Sequence, residues 1–101
     1  MGSVACIVIS RKMLRDFSRF HPDARSPLDK WYRVAKHAEW RDFAGVRKTF
    51  SSADVFEDKV IFNLGGNKYR LVAVIHYNRQ RLYIRHVLTH EMYSREGWKN
   101  D

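Results

Sequence analysis

The sequence predicts an α+β fold in which a mostly antiparallel sheet carries N-terminal helices packed on one face. Helical periodicity in the first half of the chain and strand-like alternation in the second half indicate this class. A short apolar run at residues 4–9 precedes the first predicted helix and adds one strand. The chain has 101 residues and is 45% hydrophobic, which suits a single domain over residues 1–101 without room for a second core.

The N-terminal segment predicts one strand and one helix. The apolar run from Val4 to Ile9 predicts a strand buried on both faces, and Cys6, the single cysteine, predicts a buried and inert thiol. Ser10 offers an N-cap to a helix that ends at His21-Pro22, because the residue before proline avoids the helical region. The apolar side of this helix consists of Met13, Leu14, Phe17 and Phe20.

Two further helices and a loop are predicted before the rest of the sheet. Ser26-Pro27 predicts the start of a helix, with serine as the cap and proline in the first turn, where its missing N–H costs nothing. Asp42 marks the start of a shorter helix, and the polar, acidic residues 51–58 predict a loop. The buried stripe of the longer helix consists of Leu28, Trp31, Tyr32, Ala35 and Ala38.

The C-terminal half predicts an antiparallel meander with strands over residues 59–64, 68–77 and 82–88. Gly65-Gly66 suits a two-residue hairpin turn, and residues 78–81 turn the chain again. Pairing Ile75 with Ile84 gives the meander a core face, because side chains alternate across a strand. This face comprises Val60, Phe62, Tyr69, Leu71, Ala73, Ile75, Leu82, Ile84 and Leu88, with His86 expected to be buried and neutral there.

The opposite face of the meander is basic, with Lys68, Arg70, Val72, Val74, His76, Tyr83, Arg85, Val87 and Thr89, and Ile61 from the preceding strand. Arg70 and Arg85 lie in mid-sheet beside valines, where a planar guanidinium group is held in place and suits phosphate recognition. An ordinary solvated sheet face has the same composition. Composition alone therefore leaves both interpretations open.

The residues after the last predicted strand add further polar groups. Thr89 can cap a short helix that starts at His90, and His90 and Tyr93 are then neighbours on one side of it. The net charge of +8 implies attraction to polyanions such as nucleic acid, the ribosome or an acidic protein. The N-terminal apolar run is too short to span a membrane and lacks the charged start of a secretory signal, so we expect a cytoplasmic protein without membrane contact.

Metal and nucleotide motifs are absent from the sequence. His90-Glu91 begins like a zinc-protease helix, but Ser94 stands where the second histidine would be. No cysteine and histidine set has metal-ligand spacing, and the carboxylates do not converge on the basic face. We therefore expect neither a metal nor another cofactor.

The meander and its flanking residues resemble the HigB family of RelE-like toxins from type II toxin–antitoxin systems. The resemblance rests on residues 60–73, with Asn63-Leu64-Gly65-Gly66-Asn67-Lys68-Tyr69-Arg70 at their centre, on Tyr83-Ile84-Arg85, and on Thr89-His90-Glu91-Met92-Tyr93. His21-Pro22-Asp23-Ala24, Pro27-Leu28 and Trp31-Tyr32 extend it over nearly the whole chain. It implies a RelE-like fold and a metal-independent mRNA interferase, commonly acting on translating ribosomes. It also implies neutralisation by a HigA-type helix-turn-helix antitoxin, with operator DNA contacted indirectly through the complex.

The resemblance also implies site residues. RelE-like enzymes use the ribose 2′-OH to attack the adjacent phosphate, which requires a base, a cation for the phosphorane and an acid. Arg70 matches the family's strand arginine, Tyr93 its C-terminal catalytic tyrosine, and Arg85 or His90 its basic residue at the end of the last strand. We expect Arg70 and Arg85 to stabilise the phosphate, and His90 and Tyr93 to position or exchange protons. The predicted RNA-binding residues are Lys68, His76, Tyr83, Arg79 and Arg81.

Two alternatives to an active toxin remain open at this point. A non-catalytic module that docks on RNA or the ribosome would keep Arg70 and Arg85 but would not need His90 and Tyr93 beside them. A degenerate toxin would serve only as a scaffold for its antitoxin and operator DNA. Cleavage of messenger RNA in cells that express the chain distinguishes an active toxin from both.

Overall fold

The computed structural model describes residues 6–100, with the backbone alone for Asn100, and confirms the α+β class. Its helices are α1 (Arg11–Phe20), α2 (Arg25–Ala35), α3 (Phe43–Thr49) and α4 (His90–Ser94). Its strands are β1 (Ile7–Ile9), β2 (Asp54–Phe56), β3 (Lys59–Leu64), β4 (Tyr69–His76) and β5 (Arg81–Thr89). Short 3-10 turns cover Pro22–Ala24, Tyr77–Arg79 and Gly97–Asn100.

The five strands form one sheet in the order β1-β5-β4-β3-β2, and β3, β4 and β5 form the predicted antiparallel meander. Among the strands of residues 6–100, β1 pairs with β5 alone, in parallel, and so lies at the edge of the sheet. The prediction of a strand buried on both faces is therefore wrong, since Ile7 is 49% exposed. Val4 and Ala5 of that prediction lie outside the described residues. Cys6 is buried as predicted, and burial raises the pKa of its thiol, which disfavours the reactive thiolate.

The opposite edge of the sheet contains a strand that the sequence did not indicate. Residues 54–56 form β2, which pairs with β3 in the antiparallel direction, so the predicted loop over residues 51–58 is wrong in its centre. This strand has three residues, too few to show an apolar pattern of its own. It is a strand because β3 lies beside it and pairs with it.

Among the three N-terminal helices, two start where the sequence predicts. Ser10 takes the N-cap position of α1, although no side-chain cap hydrogen bond forms there within the described chain, and Asp42 caps α3 by accepting a hydrogen bond from the Gly45 N–H at 2.9 Å. The predicted start of α2 at Ser26 is wrong. A 3-10 turn leads directly into this helix, so Ala24 takes the cap position. Phe20 is 80% exposed and is not part of the buried side of α1.

The three N-terminal helices pack on one face of the sheet and form the main core. The largest fully buried side chains there include Leu28, Trp31, Phe62, Leu71 and Leu82. The Trp31 ring meets the Phe62 ring edge-on at 5.3 Å between centroids, and aromatic rings of this size contribute much of the buried apolar area. This face is occupied by packing, so a ligand site must lie elsewhere. We call the face turned away from α1, α2 and α3 the second face.

The loop between β3 and β4 is longer than predicted. Leu64 pairs with Tyr69, so residues 65–68 connect the strands in place of a two-residue turn. Gly65 has a φ of +58°, and a Cβ atom there would lie 3.1 Å from the Tyr69 ring, so a side chain would be both strained and crowded. The register moves by two residues relative to the prediction, which leaves Val60 and Phe62 on the core face.

A β-bulge in β5 changes which side chains reach the second face. Val74 pairs with Tyr83 on one side of the irregularity and Val72 with His86 on the other, so Arg85 is the extra residue on β5. The extra residue inverts the alternation beyond it, and four predictions are therefore wrong. Val87 and Thr89 lie on the core side, while His86 and Leu88 lie on the second face. The predicted pairing of Ile75 with Ile84 is also wrong, since Ile75 pairs with Leu82.

Candidate active site

The C-terminal segment covers one half of the second face. Trp98 is 4% exposed and packs over the strand residues Ile61, Val72 and Leu88, with Phe56 and Tyr93 at the margin. Its ring stacks on Tyr93 with centroids 5.0 Å apart and an interplanar angle of 10°, and its Nε1–H donates to the Tyr93 carbonyl oxygen at 3.0 Å. We call the region around Trp98, Tyr93 and Arg70 the covered half of the second face.

Arg70 lies in this covered half and is only 9% exposed. Its Nη1 donates to the carbonyl oxygens of Asn67 at 2.9 Å and Tyr69 at 3.2 Å, and its Cζ atom lies 5.2 Å from the centroid of the Tyr93 ring. A buried charge is costly unless hydrogen bonds satisfy it, and these contacts provide that satisfaction. The guanidinium group is therefore held in one orientation before any ligand binds.

His90 extends the site from the start of α4. Its Nδ1 lies 3.4 Å from Nη2 of Arg70, a long hydrogen bond in which arginine can only donate. A hydrogen bond at this contact requires the His90 tautomer whose Nδ1 accepts and whose Nε2 carries the proton. The predicted cap is confirmed, because Thr89 Oγ1 accepts from the Met92 N–H at 3.2 Å. The His90 N–H also donates to the Lys68 carbonyl oxygen at 2.9 Å, which attaches α4 to the β3–β4 loop.

A surface groove of about 460 Å³ lies beside Arg70 and Tyr93. Arg70 and Tyr93 line it together with Arg47 from α3, Asn63 from β3 and Asp54 from β2. The Asn63 side-chain amide donates to the Ser52 carbonyl oxygen at 3.1 Å, which attaches the segment before β2 to the sheet. Arg47 and the residues near Ser52 were not identified from the sequence, because α3 and the predicted loop gave no reason to place them at the sheet.

Arg85 lines a different groove. This second groove, of about 390 Å³, is lined by Lys59, Val74, His76, Tyr83 and Arg85, with Asp58 at its edge. The His76 and Tyr83 rings meet edge-on at 5.2 Å between centroids. We call this region the open half of the second face. The structure therefore brings together Arg70, His90 and Tyr93 of the predicted catalytic residues, and places Arg85 with two of the predicted RNA-binding residues.

The other predicted RNA-binding residues are dispersed. Lys68 is exposed in the β3–β4 loop, at the end of the sheet near His90. Arg81 pairs with His76 at the other end, and Arg79 is exposed in the adjoining 3-10 turn. Tyr77 lies in the same turn. Burial is the larger cause that raises the pKa of Tyr77, and the negative charge of the Asp42 carboxylate raises it further.

Lys59 and Trp98 also lie on the second face and were not predicted there, although the sequence contains an indication for each. Lys59 lies two residues before Ile61 on the same strand, so the alternation that places Ile61 on this face places Lys59 there too. Trp98 is the one tryptophan in an otherwise polar C-terminal segment, and a large apolar ring in such a segment indicates a docking contact.

Residues 6–100 lack two features that a membrane or a metal ion would require. No helix in this range is long and apolar enough to cross a membrane. No group of three or more histidine, cysteine, aspartate and glutamate side chains in the same range is arranged to hold a metal ion.

Comparisons with known proteins identify the family. The HigB toxin family, the RelE-like toxic component of a toxin–antitoxin system, matches residues 24–96, which include Arg70, His90 and Tyr93. The mRNA interferase toxin HigB of Escherichia coli K12 is 32% identical over 90 residues that span 86% of each chain. The mRNA interferase HigB of Escherichia coli O6:H1 strain CFT073 is 25% identical over 91 residues, 87% of this chain and 88% of that protein. The resemblance seen in the motifs is thereby confirmed, and the chain belongs to the HigB family of RelE-like toxins.

Proposed function

We propose that the chain is an mRNA interferase, an endoribonuclease toxin that a cognate antitoxin keeps inactive. The family description and the names of the relatives support this activity. The observation that carries the proposal is the juxtaposition of Arg70 with Tyr93, which line a groove together, and with His90, whose exposed imidazole contacts the fixed guanidinium group. A module that only docks on RNA has no need for this arrangement.

The proposed reaction is an intramolecular transesterification at one phosphate of the RNA. The ribose 2′-OH loses its proton, its oxygen bonds to the adjacent phosphorus, and the bond from phosphorus to the 5′-oxygen of the next nucleotide breaks. That 5′-oxygen takes up a proton, so the products are a 2′,3′-cyclic phosphate and a 5′-hydroxyl end. The phosphorane carries additional negative charge, and Arg70 stabilises it from a preset orientation.

The two neighbours of Arg70 handle the protons. When Nδ1 of His90 faces Arg70 the imidazole is neutral, so the proton of the 2′-OH can pass to Nδ1 in place of this long contact, which gives His90 the role of general base. Tyr93 holds its ring over the guanidinium group, and its phenol gives its proton to the leaving 5′-oxygen, after which the imidazolium of His90 returns a proton to the phenolate. Neither role involves a metal ion.

The proposal extends to partners and location. The chain acts as a single toxin domain over residues 1–101 in the cytoplasm, and its net charge of +8 attracts it to messenger RNA and to ribosomal RNA. A HigA-type helix-turn-helix antitoxin neutralises it, and the complex, through the antitoxin, contacts operator DNA. The open half of the second face, with Arg85, His76 and Tyr83, contacts the RNA beyond the cleaved bond.

Induction of single variants, with mapping of transcript 5′ ends, tests the proposal. We expect the parent chain to arrest growth and to produce new 5′ ends, and Arg70→Ala to do neither. Arg33→Ala is a matched control, because it removes the same side chain from an exposed position on α2. Repeating the assay with purified transcripts, with and without ribosomes, determines ribosome dependence. RNA binding by the parent without any new 5′ ends would instead favour the non-catalytic module.

A further inference from the structure

Lys59 is a buried cation that the proposed chemistry does not use. It lies on β3, pairs across the sheet with Val74 and Phe56, and is 5% exposed. Lysine is rarely buried to this extent without a partner, because its ammonium group loses hydration. Within residues 6–100 the acidic group paired with it is the Asp58 carboxylate at 3.5 Å, and the Asp58 side chain is itself 70% exposed.

That pairing gives poor compensation for the loss of hydration. An ion pair whose acidic member is mostly in solvent is weakened by water and salt, whereas the desolvation of the ammonium group persists. The Asp58 side chain is mostly in solvent, so it has room to turn away from Lys59. A cation held in this way is suited to accept an anion from outside the protein.

The surroundings of Lys59 indicate which anion. Lys59 lines the groove of about 390 Å³ together with Arg85, His76 and Tyr83. Two cations and two aromatic rings within one groove match a nucleotide, whose phosphate pairs with the cations and whose base packs on a ring. Asp58 at the edge of the groove repels an anion until it turns outward, and the net charge of +8 favours that exchange with RNA.

This groove is separate from the groove beside Arg70. Lys59 pairs with Val74, and Asn63 pairs with Arg70, so the two positions lie four residues apart along β4. At roughly 3.3 Å per residue this is roughly 13 Å, too far for one phosphate to contact both. The row of Ile61 and Val72 between them lies beneath Trp98.

We propose that Lys59 forms the base of a phosphate subsite that holds a different nucleotide of the same RNA strand, away from the cleaved bond. The inference rests on the proposed function, because it takes RNA as the ligand. The subsite binds and aligns the strand, and takes no part in the reaction at Arg70.

Binding of single-stranded RNA of two lengths tests the subsite. Both strands carry 2′-O-methyl groups, so they cannot be cleaved, and the shorter one spans only the groove beside Arg70. The variants are Lys59→Met, which keeps an unbranched side chain of similar length, and Arg15→Gln, a control that removes one charge from an exposed position on α1. Fluorescence anisotropy gives the affinity at several salt concentrations, and thermal unfolding verifies that each variant is folded.

We expect Lys59→Met to weaken binding of the longer strand by about tenfold and to reduce the salt slope by about 0.7, the value for one contact to single-stranded nucleic acid. Binding of the shorter strand and binding by Arg15→Gln should change by less than about twofold, because neither depends on this subsite. Unchanged affinity and slope in Lys59→Met would overturn the inference. Equal weakening of both strands would also overturn it, since Lys59 would then act by supporting the sheet.

A second variant keeps the test decisive if Lys59→Met does not fold. Tyr83→Leu alters the half-buried ring of the same groove, and it should show the same dependence on strand length. Parent-like binding by Tyr83→Leu would then overturn the subsite. If the parent chain binds neither strand with or without ribosomes, the proposed function itself fails.

Discussion

The covered and open halves of the second face hold their cations in opposite ways. In the covered half, two backbone carbonyl oxygens and the Tyr93 ring fix Arg70, and Trp98 stacks behind that ring. In the open half, Lys59 is buried beside one exposed carboxylate. A cation fixed before the ligand arrives suits charge that develops during a reaction, because no reorganisation is needed. A cation whose partner is easily displaced suits binding.

The largest expected effect tests whether the orientation of Arg70 matters as well as its charge. Arg70→Lys keeps a positive charge but loses the planar fork that reaches two carbonyl oxygens and lies against Tyr93. We expect the rate of transcript cleavage to fall by about 10²–10³-fold. Arg85→Lys in the open half is the matched control, and its rate should fall by less than about tenfold. Similar losses in the two variants would remove the distinction between the halves.

A pair of substitutions at Tyr93 separates its ring from its hydroxyl group. Tyr93→Phe keeps the ring over Arg70 and against Trp98, so we expect parent-like stability and a cleavage rate lower by about 10²-fold. Tyr93→Leu removes both the ring and the phenol, and should also lower the midpoint of thermal unfolding. Cleavage by Tyr93→Phe at the parent rate would show that the phenol transfers no proton.

Trp98 is predicted to connect stability with activity in the covered half. Trp98→Leu removes the stack on Tyr93 and the hydrogen bond to the Tyr93 carbonyl, and we expect it to lower the free energy of unfolding by about 2 kcal/mol. Trp98→Phe keeps an aromatic ring against Tyr93 but lacks the indole N–H donor. It should cleave at most of the parent rate. If Trp98→Leu loses stability while the fully folded variant cleaves at the parent rate, Trp98 does not position Tyr93.

The smallest expected effect concerns the start of α4. Thr89→Ala removes the side-chain acceptor of the Met92 N–H and should lower the free energy of unfolding by about 1 kcal/mol. Thr89→Ser keeps the acceptor and should be close to the parent. Chemical denaturation measures both. A stability change in Thr89→Ala much larger than that of a helix cap would mean that α4 also holds the sheet together.

Local rules predicted much of the covered half. The positions of Arg70 on β4 and of Thr89, His90 and Tyr93 around α4 follow from strand alternation and helix capping, which depend on neighbours in the sequence. Trp98 could not be placed in this way, because its position depends on a packing contact with Ile61, distant in the chain.

The open half shows where alternation fails. The assignment of Val74, His76 and Tyr83 to the second face agrees with the structure, since these residues precede the bulge or lie on β4. The assignments beyond Arg85 are wrong because a single extra residue leaves no local mark in the sequence. The adjacent apolar pair Val87 and Leu88 is buried on two different faces, a pattern consistent with a strand covered on both sides.

The bulge at Arg85 also has a consequence for the gene. An in-frame deletion of this codon would remove the extra residue and straighten β5, and His86 would still pair with Val72. The side chains after it would therefore keep their faces, with Val87 in the main core and Leu88 beneath Trp98. One further codon inserted into the regular pairing beyond the bulge would instead turn every later side chain to the opposite face. The gene should therefore tolerate the loss of this codon better than the gain of one beside it.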